Sequence, residues 1–176
     1  MTRHVFLIGF MGSGKTHWGR VVAEQLGCLF LDLDVFIEAN EGMTISEIFS
    51  SSGENGFREL ERDYLRQLAA LPPAIVATGG GTPCFFDNMD WMKAHGVTIY
   101  LKTPPEVLFE RLKNERLHRP LLKNLNDAGL REFIRERLEL REPFYNRSDM
   151  VLGQKDAEAV FLNEEKMLQL VVKKSI

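Results

Sequence analysis

The segment Gly9-Phe10-Met11-Gly12-Ser13-Gly14-Lys15-Thr16 satisfies the pattern G-x-x-x-x-G-K-[ST], in which each fixed residue type has its own physical task. Glycines let the backbone turn tightly enough for successive N–H groups to point at one anion. A helix starting near Lys15 adds the positive end of its dipole. The Lys15 side chain can reach the β- and γ-phosphates of a nucleotide, and the Thr16 hydroxyl is a ligand for Mg²⁺. The expected contacts to such a ligand are Gly12, Ser13, Gly14, Lys15 and Thr16.

Four more clusters narrow the chemistry. Leu31-Asp32-Leu33-Asp34 closes an apolar run. Read as one strand, it puts Asp32 and Asp34 on the same side, at the carboxyl end where open α/β sheets bind ligands. Two acids there divide naturally between a metal shell and a nucleophile. The plain alternative is a helix N-cap at Asp34 and a surface acid at Asp32. In Gly53-Glu54-Asn55-Gly56-Phe57-Arg58-Glu59-Leu60-Glu61, Arg58 and Glu61 stand three apart on a helix, which also suits a surface ion pair worth under about 1 kcal/mol. Thr78-Gly79-Gly80-Gly81-Thr82 follows another apolar run, and consecutive glycines cost enough chain entropy to imply a close approach by something. Arg119-Pro120-Leu121-Leu122 and Arg141-Glu142-Pro143-Phe144-Tyr145 complete the set.

Elements able to position these residues are visible in the pattern. Apolar runs suited to buried strands recur at Val5–Ile8, Leu29–Leu33, Ala74–Thr78, Val97–Leu101 and Met150–Leu152. The stretch holding Trp18, Val21, Val22 and Leu26 reads as a helix ending at Gly27. Thr44-Ile45-Ser46-Glu47 and Thr103-Pro104-Pro105-Glu106 read as capping boxes, with Asp127 and Asp156 as N-caps of the last two helices. Strands alternating with helices predict a parallel sheet covered on both faces, in one domain over residues 1–176. Residues 35–70 hold more than one helix, too much for a simple crossover, and suit a substrate-binding subdomain. Residues 117–126 read as a mobile loop between helices, of the kind that serves as a lid.

Composition excludes several classes. Lys and Arg number 22 against 25 Asp and Glu, so the net charge of −3 predicts no general nucleic-acid partner. Residues 110–147 are locally net positive, with ten Lys or Arg and seven Asp or Glu, which suits either a solvated helical face or an anionic-substrate cluster. Two cysteines, Cys28 and Cys84, lack metal-ligand spacing and read as reduced thiols. No apolar run of about 18 residues predicts a membrane span, and the expected compartment is the cytoplasm.

Taken in order and spacing, these motifs resemble the shikimate kinase family over nearly the whole chain. The family's D-x-D falls on Asp32 and Asp34, and its F-R-x-x-E on Phe57, Arg58 and Glu61. Its triple glycine falls on Gly79 to Gly81, its lid R-P-L-L on Arg119 to Leu122, and its R-x-P-x-Y on Arg141 to Tyr145. The resemblance implies a three-layer α/β/α fold of the P-loop NTPase type, with a five-stranded parallel sheet of order 2-3-1-4-5, and a monomer. It implies transfer of a phosphoryl group from ATP, with Mg²⁺, to shikimate. Asp34, Lys15 and Arg119 would be catalytic, with Arg119 also on the nucleotide. Thr16 and Asp32 would serve the metal. Asp34, Arg58, Gly80, Gly81 and Arg141 would bind the acceptor. Position 17 departs from the family, being His where Ser or Thr is common, so only the His17 backbone N–H is expected on the α-phosphate. The adenine-contacting segment is expected around residues 154–156. Another small-metabolite kinase of this fold, such as a gluconate-type kinase, and a non-catalytic nucleotide-binding module remain the alternatives at this point.

Overall fold

The computed structural model describes residues 2–116, 121–163 and 165–167. Strands β1 (His4–Ile8), β2 (Leu29–Asp32), β3 (Ala74–Ala77), β4 (Gly96–Lys102) and β5 (Met150–Gly153) form one sheet. Every pairing is parallel and the order is β2-β3-β1-β4-β5, as the resemblance implies. The helices are α1 (Lys15–Gln25), α2 (Leu33–Glu41), α3 (Ile45–Gln67), α4 (Asn88–His95), α5 (Pro105–Glu115), α6 (Asp127–Tyr145) and α7 (Gln154–Phe161).

Alternation along the strands builds two cores. Phe6 and Ile8 of β1 pack with Leu65 of α3, Met92 of α4 and Ile134 of α6. Val5 and Leu7 face the other way, against Val22 of α1 and Phe161 of α7. Both sheet faces are therefore dry, which is why the strands read as continuous apolar runs. Among the described residues no helix is long and apolar enough to cross a membrane.

Several expected boundaries move, each for a local reason. The second strand stops at Asp32, not Leu33, because the Asp32 carboxylate caps α2 by accepting from the Asp34 N–H at 3.2 Å. Asp34 thus lies in the first turn of a helix, and strand alternation is not what brings it beside Asp32. The third strand ends one residue early, at Ala77. The Thr44–Glu47 capping box is formed reciprocally. The one expected at Thr103 is not: Pro104 precedes α5, Pro105 takes its first position, and no side chain caps it. Asn126 rather than Asp127 caps α6, accepting from the Gly129 N–H at 2.8 Å. Gly153 precedes α7, leaving Asp156 in its first turn. Residues 35–70 do hold two helical stretches, and α3 itself breaks at Gly53, where φ is 70°. Of the expected lid, residues 117–120 lie outside the described residues; Leu121 is exposed and Leu122 is buried.

Candidate active site

The carboxyl ends of β1, β2 and β3 converge on the phosphate-binding loop. Gly14, with φ 95°, forms the left-handed entry to α1; no side chain caps that helix and its first turn holds no acid. Its amide end therefore keeps its affinity for an anion. Lys15 is buried, and its Nζ donates to the carbonyls of Gly9 at 2.9 Å and Phe10 at 3.0 Å. These bonds fold the ammonium across its own loop. The buried Ser13 hydroxyl has no hydrogen-bond partner among the described residues.

Thr16 and Asp32 are directly joined, the Thr16 hydroxyl donating to Asp32 Oδ2 at 2.8 Å. The other Asp32 oxygen caps α2. One carboxylate thus ties the phosphate-loop helix to the helix carrying Asp34 and presents hard oxygen donors at the junction. Among the described residues no group of three or more His, Cys, Asp or Glu could hold a metal by itself.

Asp34 is half-buried, and its carboxyl is pushed up to about 6, first by burial and then by the charges of Glu61 and Asp32, against the opposing pull of Lys15 and Arg58. A carboxylate with that affinity can take a proton in neutral solution far better than an ordinary surface acid.

Arg58 and Glu61 are no surface pair. Glu61 has no exposed surface, Arg58 is buried, and their ion pair measures 2.9 Å. Phe85 lies 4.3 Å and Phe57 5.0 Å from the guanidinium carbon, measured to ring centroids. Arg58 Nη2 also reaches Glu54 at 3.1 Å, while its Nε has no partner among the described residues. Arg141 lies over the Phe10 ring at 5.6 Å.

The triple glycine explains itself through these neighbours. A methyl group on Gly79 would sit 2.7 Å from Glu61 Oε1 and 3.2 Å from Asp34 Oδ1. One on Gly80 would sit 3.2 Å from Arg141 Nη1, and one on Gly81 would sit 2.7 Å from Arg58 Nη2. The close approach expected from the sequence is thus made by the site's own side chains. Gly80 is further fixed by the buried Tyr145, whose hydroxyl donates to its carbonyl.

A cavity of about 620 Å³ runs from Asp34 and Gly80 over the phosphate loop to Gln154 and Glu158. Arg58 and Arg141 pack against the glycines and are not on its wall. Arg111 does line the cavity, and its Nη1 donates to the Gly12 carbonyl at 2.8 Å. No motif marked Arg111 in advance; only its place on the loop-facing side of α5 reveals it. Of the segment expected near adenine, Gln154 lines this cavity, and Ala157 and Glu158 join it from the next turn. His17 and Trp18 line it as well, their rings 5.1 Å apart. Arg119 lies outside the described residues. The Cys84 thiol is pushed up to about 11 by burial, against Arg141 and Arg58, which suits an inert apolar group.

Comparisons with known proteins agree on one family. The family model described as shikimate kinase matches residues 11–174. A shikimate kinase of Phocaeicola vulgatus is 49% identical over 148 residues, 84% of each chain. The crystal structure of shikimate kinase from Bacteroides thetaiotaomicron superposes with a TM-score of 0.88 at 38% identity, over 96% of this chain and 99% of that one. Shikimate kinase from Acinetobacter baumannii, solved in complex with shikimate, gives 0.84 at 34% identity over 100% and 96%.

Proposed function

The chain belongs to the shikimate kinase family, and we propose that it moves the γ-phosphoryl group of ATP to the 3-hydroxyl of shikimate, giving shikimate 3-phosphate and ADP. The observation that carries this reading is the convergence on one triple glycine of Asp34, Arg58 and Arg141, beside the phosphate loop. An acid, two planar cations and close-packed backbone suit a small hydroxylated carboxylic acid. Arg58 Nε, buried with no partner among the described residues, has a donor in reserve for the acceptor carboxylate.

Phosphoryl transfer passes through a loose transition state, so the protein's work is mostly positioning and charge stabilisation. Lys15 leaves the Gly9 and Phe10 carbonyls for the β- and γ-phosphates. Thr16 and Asp32 would hold Mg²⁺, which when bound neutralises phosphate charge. Asp34 orients the acceptor hydroxyl and takes its proton as the new oxygen–phosphorus bond forms and the bond to ADP breaks. Arg58 and Arg141 clamp the carboxylate with the forked geometry that Lys lacks. Arg119, in the lid, adds positive charge at the transferring group. Residues 35–70 act as the acceptor subdomain, and the enzyme works as a cytoplasmic monomer.

An ADP-release assay with Mg–ATP and a panel of acceptors tests this. Shikimate should turn over rapidly, while its analogue lacking the carboxylate, gluconate, AMP and CMP should not. Fast phosphorylation of gluconate or a nucleotide with none of shikimate would sink the substrate reading. Tight ATP binding with no turnover on any acceptor would favour a non-catalytic module.

A further inference from the structure

Glu61 raises a question the transfer chemistry does not answer. It is a carboxylate with no exposed surface, and burying such a group is costly unless its oxygens are hydrogen-bonded. Oε2 accepts from Arg58 Nη1 at 2.9 Å. Oε1 accepts from the hydroxyl of Thr82, the residue directly after the triple glycine.

Thr82 is itself fully buried and firmly held. It opens the short 3-10 turn Thr82–Cys84, its N–H donates to the Gly79 carbonyl at 3.2 Å, and its own carbonyl accepts from Asn88 Nδ2 at 3.0 Å. The hydroxyl therefore reaches Glu61 from a backbone fixed at both ends. Arg58, in contrast, holds two acids at once. Its Nη1 pairs with buried Glu61, whereas its Nη2 pairs with Glu54, whose side chain is 52% exposed. Without the bond to Glu61, the half-exposed Glu54 would be left to orient the guanidinium from the solvent side.

We infer that Thr82 is a positioning residue for the acceptor clamp: its hydroxyl holds the Glu61 carboxylate in place, so that Arg58, bonded to Glu61 as well as to Glu54, stays turned inward against Gly81. This rests on the reading of Arg58 as a ligand of the acceptor carboxylate. Losing the hydroxyl leaves one Glu61 oxygen buried and unpaired. Glu61 then turns aside, and Glu54 draws Arg58 outward.

The test is steady-state kinetics on Thr82→Val, which keeps shape and removes the hydroxyl, alongside Thr82→Ser and the double variant Thr82→Val/Glu54→Gln. Thr82→Val should raise the shikimate KM about tenfold while kcat and the ATP dissociation constant stay within about twofold. Thr82→Ser should restore the wild-type KM, and removing the competing acid in the double variant should recover part of the loss. A purely structural role would lower the melting temperature and kcat without that split, and neither rescue would follow. If the valine variant does not fold, Thr82→Ala carries the same comparison. A wild-type enzyme that turns over shikimate with a Thr82→Val KM within twofold of its own overturns the role of Thr82 alone. Absence of wild-type turnover on shikimate overturns the substrate reading, and the clamp with it.

Discussion

Two glycine-rich segments meet at this site, and they use glycine for different reasons. In the phosphate-binding loop the need is conformational: Gly12 at φ 78° and Gly14 at φ 95° occupy the left-handed region that L side chains rarely adopt. In the triple glycine none of the three has a positive φ, and Gly81 sits at an ordinary −94°. There the need is room, since a methyl group would strike Glu61, Arg141 or Arg58. One loop shapes its backbone around a ligand's phosphates. The other makes space for the side chains proposed to grip the acceptor. Damage to the first should appear in nucleotide handling, and damage to the second in acceptor handling.

The largest expected break in that division comes from Lys15→Ala. Its ammonium is the buried cation of the phosphate loop, and both of its carbonyl partners lie within the loop. Turnover at saturating substrates should fall by about 10³-fold, because charge that builds on the phosphoryl group loses a preorganised partner. Shikimate binding, measured by calorimetry without nucleotide, should change less than threefold. Near-normal turnover in this variant would mean the loop does not hold the transferred phosphate.

Asp34 stands where the two loops meet and gives a prediction in stability. Its carboxyl is raised to about 6 in the folded protein, from an ordinary value near 3.8. Between those values the native state binds more protons than the unfolded chain, so this group's contribution falls as pH rises. It is fully present below about 4 and lost above about 6. Asp34→Asn should therefore abolish most turnover yet stabilise the ligand-free protein at pH 8, by up to about 3 kcal/mol. The gain should vanish by pH 4. Urea melts at pH 8, 6 and 4 check it; equal destabilisation at every pH would mean that Asp34 carries no buried-charge penalty.

How much of this was visible in the chain differs between the two loops for the same physical reason. The phosphate loop is a local object: its turn, its lysine and its helix start are all specified by adjacent residues, so Gly9 to Thr16 could be read directly. The sheet order came from resemblance, while the apolar runs placed every strand to within one residue at each end. The triple glycine announced a close approach without naming the partner. That partner is tertiary, because Arg58, Glu61 and Arg141 arrive from α3 and α6. Burial decides between the two readings of Arg58 and Glu61, whose spacing alone equally fits a weak exposed pair. Asp34 was placed correctly beside Asp32 for the wrong reason, since the N-cap at Asp32 turns the chain into a helix one residue before strand alternation could act. Arg111 carried no motif and Thr82 only closed the glycine motif with no role of its own, and only the folded chain brings them to Gly12 and Glu61.

The smallest effect is also the sharpest test of the contrast: Gly12→Ala against Gly81→Ala. Each adds one methyl group. At Gly12 the positive φ costs about 1–2 kcal/mol in strain, and the methyl would meet Leu112 at 3.2 Å. The loop should distort, raising the ATP dissociation constant about tenfold and lowering the melting temperature, with the shikimate constant little moved. At Gly81 the backbone accepts alanine readily, but the methyl lands 2.7 Å from Arg58 Nη2 and 2.8 Å from its Cζ. A guanidinium is the far end of a flexible side chain, so it can yield, and the fold should survive with only a slight loss of stability. What yields, however, is Arg58, one arm of the proposed acceptor clamp. Gly81→Ala should therefore raise the shikimate KM about tenfold and leave ATP affinity within twofold. Measured together by nucleotide titration and acceptor kinetics, the two variants should cross, each impairing the ligand that the other spares. If both weaken ATP binding equally, or if Gly81→Ala loses stability as Gly12→Ala does, the distinction between glycine for shape and glycine for room is wrong at this site.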